Sequence, residues 1–443
     1  MSKQTELADR VAMIELAQSG QSDGQIAEAV GCSRWTVRKW RRRHRDQGRA
    51  GLRTKMGRPK QGALSTYPAQ MREAIEAWRR AHPGWGAKTL RTELEQDERF
   101  KRMQLPSLRS INRFLKEKDL VEPHERHSVL PQSEQQMPQT AHEEWEVDAR
   151  GHEYIPEVGV VELINLTDCF TRTRLLSYPC LLGHHRLSRR AATEDYLLIF
   201  RLAFTEWGLP ERIASDHHRI FYDGKSKSPF PTRLHLWLIA LGVSLTFGQF
   251  HCPTDQSIAE RSHQLWEKQV LQGQVFANWD SLFQALQKRR HFLNTKLPCA
   301  SVGEKPPLVA HPEALTNPRL YRPEWEVDLL DVSRIHAYLA QGQWFRIVSS
   351  VGTFSLGGHV YYLKQTWAGQ QVEITFDPDD LQFVVYSDDG QHIKRFFPKG
   401  ITTDDLMGEM SPLANLPAFQ LALPFSWQDW RRARLSGTLM GMT

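Results

Sequence analysis

Apolar positions recur at helical spacing from Glu6 to Arg45: Leu7, Val11, Ile14 and Leu16, then Ile26, Ala27 and Val30, then Trp35, Val37 and Trp40. Breakers separate the runs. Ser19-Gly20 closes the first, Ser22 caps the second, Gly31 supplies a turn, and Ser33 is a good N-cap for the third. The pattern predicts a helix-turn-helix whose last helix would lie in a major groove. A second three-helix unit is predicted over 67–80, 86–94 and 107–118, around the breakers His82-Pro83-Gly84-Trp85 and Pro106. In its last helix Leu108, Ile111, Phe114 and Leu115 share one face, with Arg109, Arg113, Lys116 and Lys118 on the other.

From Trp145 the texture changes to strands. A short strand at 145–148, a hairpin pair at 158–168 and 171–178, and a helix from Ser188 to Gly208 lead to a brief strand at 212–215. A helix over 234–241, a strand over 243–247 and a helix carrying Glu260 complete a strand-strand-strand-helix-strand-helix-strand-helix order, which implies a mixed sheet flanked by helices. Four alternating segments between Phe345 and Phe397, punctuated by Gly357-Gly358, Gly369 and Asp388-Asp389-Gly390, predict a small closed or nearly closed β-barrel. The expected organisation is therefore a helix-turn-helix domain (1–50), a basic linker (51–64), a second such or winged-helix-like domain (65–121), a linker (122–141), an α/β core (142–310), a connector (311–340), the barrel (341–397) and a tail (398–443). The tail's Phe425-Ser426-Trp427-Gln428-Asp429-Trp430-Arg431-Arg432 reads as a peptide that docks on a partner or on the barrel itself.

Length and composition are those of a globular chain of about three domains: 443 residues, 40% apolar and 24% charged. The longest apolar run, 236–247, is shorter than the ~20 residues of a membrane span, and the N-terminus opens polar. A soluble, cytoplasmic, nucleoid-associated protein with no membrane partner is expected. Cys32, Cys169, Cys180, Cys252 and Cys299 are scattered singly, so neither a disulfide framework nor a zinc site is indicated.

Charge sharpens the picture. Residues 1–61 hold 14 Lys/Arg against 6 Asp/Glu, a local balance of +8 in a chain of net +6. Clustered cations bind a polyanion by releasing its counterions, which makes double-stranded DNA the expected partner. Candidate DNA contacts are Arg34, Arg38, Lys39, Arg41, Arg42, Arg43 and Arg45 in the third helix, and Arg53, Lys55, Arg58 and Lys60 in the linker. Arg109, Arg113 and Lys116 in the second unit, and Arg261 and Lys268 after Glu260, complete the set.

Three acids are the candidate chemistry: Asp148 in Trp145-Glu146-Val147-Asp148, Asp216 after Arg212-Ile213-Ala214-Ser215, and Glu260 at a helix start. Hard oxygen ligands from separate elements suit Mg²⁺ (or Mn²⁺), and two such ions serve in-line attack on a phosphodiester. Each acid has a competitor. Glu146 would face the same side of its strand as Asp148. Glu260 could close a capping box begun by Ser257, with Asp255 then the alternate ligand. Asp168 reads as a hairpin-end residue. His217, His218, His251 and His263 lie near the acids in sequence, but core or solvent-facing roles suit them better than proton transfer.

The strand order and these acids resemble the ribonuclease-H-like core of DDE transposases and retroviral integrases. Arg212 to Asp216, Leu241-Gly242-Val243, Pro253 to His263, and Asn294-Thr295-Lys296 with Gly303-Glu304-Lys305-Pro306-Pro307 are similar to bacterial insertion-sequence transposases. His82-Pro83-Gly84-Trp85-Gly86-Ala87 and Gly357-Gly358-His359 with Tyr361-Tyr362 resemble flanking domains of those and of Mu-like enzymes. The resemblance implies a DNA transposase in which Asp148, Asp216 and Glu260 hold two metal ions per site, cleave a 3′-end and transfer the strand into target DNA. It also implies a homo-oligomer on DNA and allows an ATPase target-selection partner. Two departures stand out: His217-His218 replaces the usual Asn-Gly, and the second and third acids are 44 positions apart, with turn-rich residues 222–231 between them. A catalytically inactive DNA-binding regulator and a nuclease that cuts without joining are the alternatives.

Overall fold

A computed structural model describes residues 5–53, 62–121, 138–183, 189–215, 220–221, 228–247 and 257–408. They fall into two compact units, one drawn from Met1–Arg72 with Arg109–Asp119, the other from Glu73–Leu108 with Leu120–Thr443.

In the first unit α1 (Leu7–Gln18), α2 (Asp23–Val30) and α3 (Arg34–Gln47) enclose Met13, Ile14, Ile26, Ala27, Val37, Trp40 and Leu52. Gln25 reaches back to the Ser22 amide (2.9 Å), closing a capping box at α2. Gly31 ends that helix at φ +70°, a left-handed conformation that glycine adopts without steric cost, and Ser33 Oγ accepts from Thr36 N (3.1 Å) to start α3. Trp35 is not in the core: it is 80% exposed. Two residues span about 200° of helix, so a face that buries Val37 and Trp40 turns Trp35 outward. Helix α6 (Leu108–Glu117), which buries Ile111, Phe114 and Leu115, belongs to this unit, whereas α5 (Ala87–Gln96) and most of α4 (Ala69–Ala81) belong to the second.

The second unit is built on a five-stranded sheet of order β3-β2-β1-β4-β5, from β1 (Glu144–Ile155), β2 (Gly159–Asp168), β3 (Arg174–Gly183), β4 (Arg212–Ser215) and β5 (Ser244–Phe247). The first three run antiparallel; β4 lies parallel to β1, and β5 parallel to β4. Helices α7 (Thr193–Trp207) and α8 (Arg233–Ala240) share one apolar core with Trp145, Val147 and Ile213. The helices α9 (Ser257–Trp266) and α10 (Trp279–Thr295) contribute Trp266, Leu282 and Leu286 to another, with Val161 and Leu163. Every residue of β2 is buried, as a strand covered on both faces requires. At the outer strand, Asn294 of α10 accepts from Arg174 N (2.9 Å) and donates to Arg174 O (2.8 Å), so one side-chain amide substitutes for a neighbouring strand.

Two boundaries differ from expectation. The first strand has twelve residues rather than four, because a bulge between Arg150 and Glu153 lets charged positions continue the ladder. Helix α7 begins after Ala192, whose amide donates to Asp195 Oδ2 (2.7 Å); Ser188, expected to cap it, lies outside the described residues.

Short helices α11 (Pro307–Ala310), α12 (Glu326–Leu329) and α13 (Val332–Leu339) connect to the C-terminal strands. Glu326 is fully buried, with its carboxylate accepting from Arg201 Nε (2.7 Å), Arg201 Nη2 (2.5 Å), Trp237 Nε1 (2.8 Å) and the Tyr321 hydroxyl. The C-terminal strands do not form the expected barrel. Among the described residues, β6 (Gln343–Ile347), β9 (Gln371–Asp377), β10 (Gln382–Ser387) and β11 (His392–Phe396) make an open sheet of order β11-β10-β9-β6. The strands β7 (Thr353–Leu356) and β8 (His359–Tyr362) pair as a separate hairpin. Alternation reports one buried face and not what covers it. Here the cover comes from Ile335 and Leu339 of α13 and from Phe230, whose ring lies 5.0 Å from that of Trp344, so the sheet need not close on itself. Helix α14 (Thr403–Met407) ends the described chain, and the tail peptide lies beyond it.

Candidate catalytic and DNA-binding sites

Glu146 and Asp148 lie on the face of β1 opposite Trp145 and Val147. That face is covered by α9, and Asp148 Oδ2 meets His263 Nε2 there. His263 follows Glu260 by three positions in α9. Glu146 answers to a different neighbourhood. Burial raises the Cys169 thiol, with Glu146 adding to the rise, and burial lowers the Arg174 guanidinium against a field to which Glu146 contributes. Within one strand, Asp148 is thus directed to α9, and Glu146 is close enough to Cys169 and Arg174 for its charge to act on both. Asp168 at that hairpin end is fully buried; its carboxylate accepts from His142 N (2.7 Å), Thr171 N (2.7 Å) and Thr171 Oγ1 (2.8 Å), a structural role.

The parallel register pairs Glu144 with Arg212, Trp145 with Ile213 and Glu146 with Ala214, so β4 delivers its C-terminal end beside the Glu146–Asp148 stretch. Asp216 follows Ser215 and lies outside the described residues, as do Asp255, His217, His218 and His251. Glu260 and Arg261 are in α9, with side chains outside the description. Among the described residues no three His, Cys, Asp or Glu side chains gather as a metal site. The donor chemistry of Asp148 nevertheless fits a hard cation. Asp148 Oδ2 and His263 Nε2 face each other, and on the same helix Ser262 Oγ and Trp266 Nε1 are buried without a hydrogen-bond partner. Buried polar atoms are almost always satisfied, so such a concentration marks a place where a further polar species belongs. His263 was underrated by sequence reading, and its i+3 offset from Glu260 was the signal to use.

In the first unit, α3 carries Trp35, Arg38, Arg42 and Arg45 at positions i, i+3, i+7 and i+10, along one helix face. The side chains of Arg42 and Arg45 are each 78% exposed. Arg38 and Arg41 also meet Asp23 at the start of α2, whose carboxyl the Arg41 and Arg38 guanidinium groups hold below its usual range. Arg43 stacks over Trp40 at 5.1 Å. Arg34, Lys39, Arg53, Arg109 and Lys116 are exposed, and Arg113 pairs with Glu117 (2.9 Å). In the second unit Lys268 is exposed; Lys55, Arg58 and Lys60 lie outside the described residues.

Family models match the N-terminal part: a helix-turn-helix domain over residues 9–60 and a homeodomain-like domain over 36–115. These matches stand ahead of a 3-2-1-4-5 mixed sheet with an acidic residue on its central strand. Solved structures similar to this chain include the catalytic core domain of the HTLV-2 integrase in complex with magnesium (13% identity, covering 39% of this chain and 97% of that one, TM-score 0.28). The BIV integrase catalytic core (16%, 39% and 96%, TM-score 0.28) and the simian T-cell lymphotropic virus intasome in complex with a PP2A regulatory subunit (12%, 66% and 93%, TM-score 0.32) are others. Superpositions this loose carry no argument about chemistry, which rests on the residues themselves. No helix among the described residues is long and apolar enough to cross a membrane.

Proposed function

We propose that this protein is a DNA transposase of the DDE type that cleaves the 3′-ends of its element and joins them to target DNA. The observation that carries the proposal is the meeting of Asp148 with His263 on the helix that bears Glu260, a helix that also buries the unpartnered Ser262 Oγ and Trp266 Nε1. Asp148, Asp216 and Glu260 would hold two Mg²⁺ or Mn²⁺ ions. Such ions supply Lewis-acid stabilisation of the attacking and leaving oxygens of an in-line displacement. The protein's share is binding and orientation. Helix α3 presents Trp35, Arg38, Arg42 and Arg45 to the duplex, Ser33 and Gly31 fixing its start. His263 holds the Asp148 carboxylate toward α9. A multimer bridging two DNA ends would be the working form. Incubating purified protein with terminal duplexes, target plasmid and Mg²⁺ tests the reading. Strand-transfer products are expected from the wild-type protein and none from Asp216→Asn, with end binding retained; joining by that variant removes the assignment.

A further inference from the structure

Helix α9 passes at Glu267–Leu271 into a wider turn, in which Gln272 N–H donates five positions back to Glu267 O (2.9 Å). The last carbonyls of a helix lack partners within it. Here one partner comes from far away in sequence: Trp85 Nε1 donates to Gln269 O (3.3 Å). The Gln269 side chain is equally committed, donating to Thr89 Oγ1 (3.1 Å) and accepting from Arg289 Nε (2.9 Å) and Nη2 (2.6 Å). Arg289 in turn donates to Glu93 Oε1 (2.6 Å) and stacks 4.3 Å from the Trp85 ring. Approach is close enough to demand glycine twice. A Cβ on Gly84 would stand 2.2 Å from Lys268 O, and one on Gly273, already at φ +76°, 2.7 Å from Pro83 Cδ.

We infer that residues 83–93, which lie outside the five-stranded sheet and its helices, position the Glu260 carboxylate by fixing the far end of α9. The inference rests on Glu260 being the third acid of the proposed site. Gln269 is nine residues from Glu260, roughly 13 Å along a helix, and a helix transmits rotation or sliding at one end to the other. An apolar contact would have served for stability alone, since burying a guanidinium costs desolvation. Directional bonds to both the backbone and the side chain of one residue instead define the helix's rotation. Gly84, Trp85, Gln269 and Arg289 are thus positioning residues.

The test is Mn²⁺ binding to the full chain, followed by the electron paramagnetic resonance of free Mn²⁺, together with nicking of supercoiled plasmid against Mn²⁺ concentration. Trp85→Phe keeps the ring and deletes the donor; Gly84→Ala is the coarser probe. Both should weaken Mn²⁺ binding and raise the Mn²⁺ half-saturation for nicking roughly 10-fold, the scale seen when outer groups that orient metal ligands are lost. The plasmid KM of Trp85→Phe should stay at the wild-type value, and a lowered melting temperature with Mn²⁺ affinity unchanged would leave Trp85 a purely structural role and overturn the inference. In a Glu260→Gln background, Trp85→Phe should add nothing. Unchanged Mn²⁺ affinity in Trp85→Phe, or an equal loss with and without Glu260, overturns the inference while leaving the proposed site intact. If Glu260→Gln itself leaves Mn²⁺ binding unchanged, the site reading fails first and the inference with it.

Discussion

Asp148 and Glu146 are two residues apart on one strand face; Asp148 meets His263 of α9, and the charge of Glu146 adds to the rise that burial causes in the Cys169 thiol. Alternation alone could not separate them, because it assigns a face and not a neighbour. Asp148→Asn should therefore abolish Mn²⁺-dependent strand transfer, whereas Glu146→Gln should lower it by roughly 10- to 100-fold, as loss of a supporting group does. Quantified products on a gel decide between them, and equal loss in both would put Glu146 in the site. At Glu326 the same scale governs stability. Its buried carboxylate answers Arg201, Trp237 and Tyr321, so Glu326→Ala strands a guanidinium in the core. A loss of about 3–5 kcal/mol is expected from the urea midpoint; a loss under about 1 kcal/mol would mean that Arg201 finds water.

Elements with a clear period were legible. Helices α2 and α3, with Ser22 before the first and Gly31 and Ser33 between them, form where the caps and the turn residue placed them, and β4 covers the short apolar run at 212–215. Elements whose limits depend on distant partners were not. The bulge in β1 is stabilised by Arg150 pairing with Glu267 (2.7 Å), 117 positions away, and the wide turn after α9 is held by Trp85 and Arg289. Trp35 is an intermediate case: the helical period itself should have placed it outward. For α3 the test is electrostatic. Arg42→Ala should weaken duplex binding across all sequences and reduce the slope of log K against log salt by about 1. Trp35→Ala should instead lower discrimination between duplexes while leaving that slope alone. An unchanged slope for Arg42→Ala in fluorescence anisotropy would take this helix face off the phosphate backbone.

For the molecule as a whole, the mixed sheet flanked by helices followed from the order of periodic segments, but the C-terminal barrel did not, because Phe230 and α13 pack against the sheet that alternation suggested would close. That shared core also sets a pH dependence. His235, buried on α8 beside Phe247 and Tyr338, has its pKa lowered by burial from 6.5 to about 4. The unfolded chain therefore binds the proton first. His235 contributes stability fully above pH 6.5, and loses it as pH falls toward 4, by an amount on the order of 3 kcal/mol. His235→Gln should flatten the fall in melting temperature across that window, and an identical fall would assign it to other groups.

Convergence of Asp148, Asp216 and Glu260 on shared ions is the central claim, and anomalous diffraction from Mn²⁺-soaked crystals measures it directly. Peaks at about 2.1 Å from carboxylate oxygens of both Asp148 and Asp216, with Glu260 at one of them, are predicted. Mn²⁺ found only elsewhere, or those carboxylates ordered too far apart to share an ion, would contradict it.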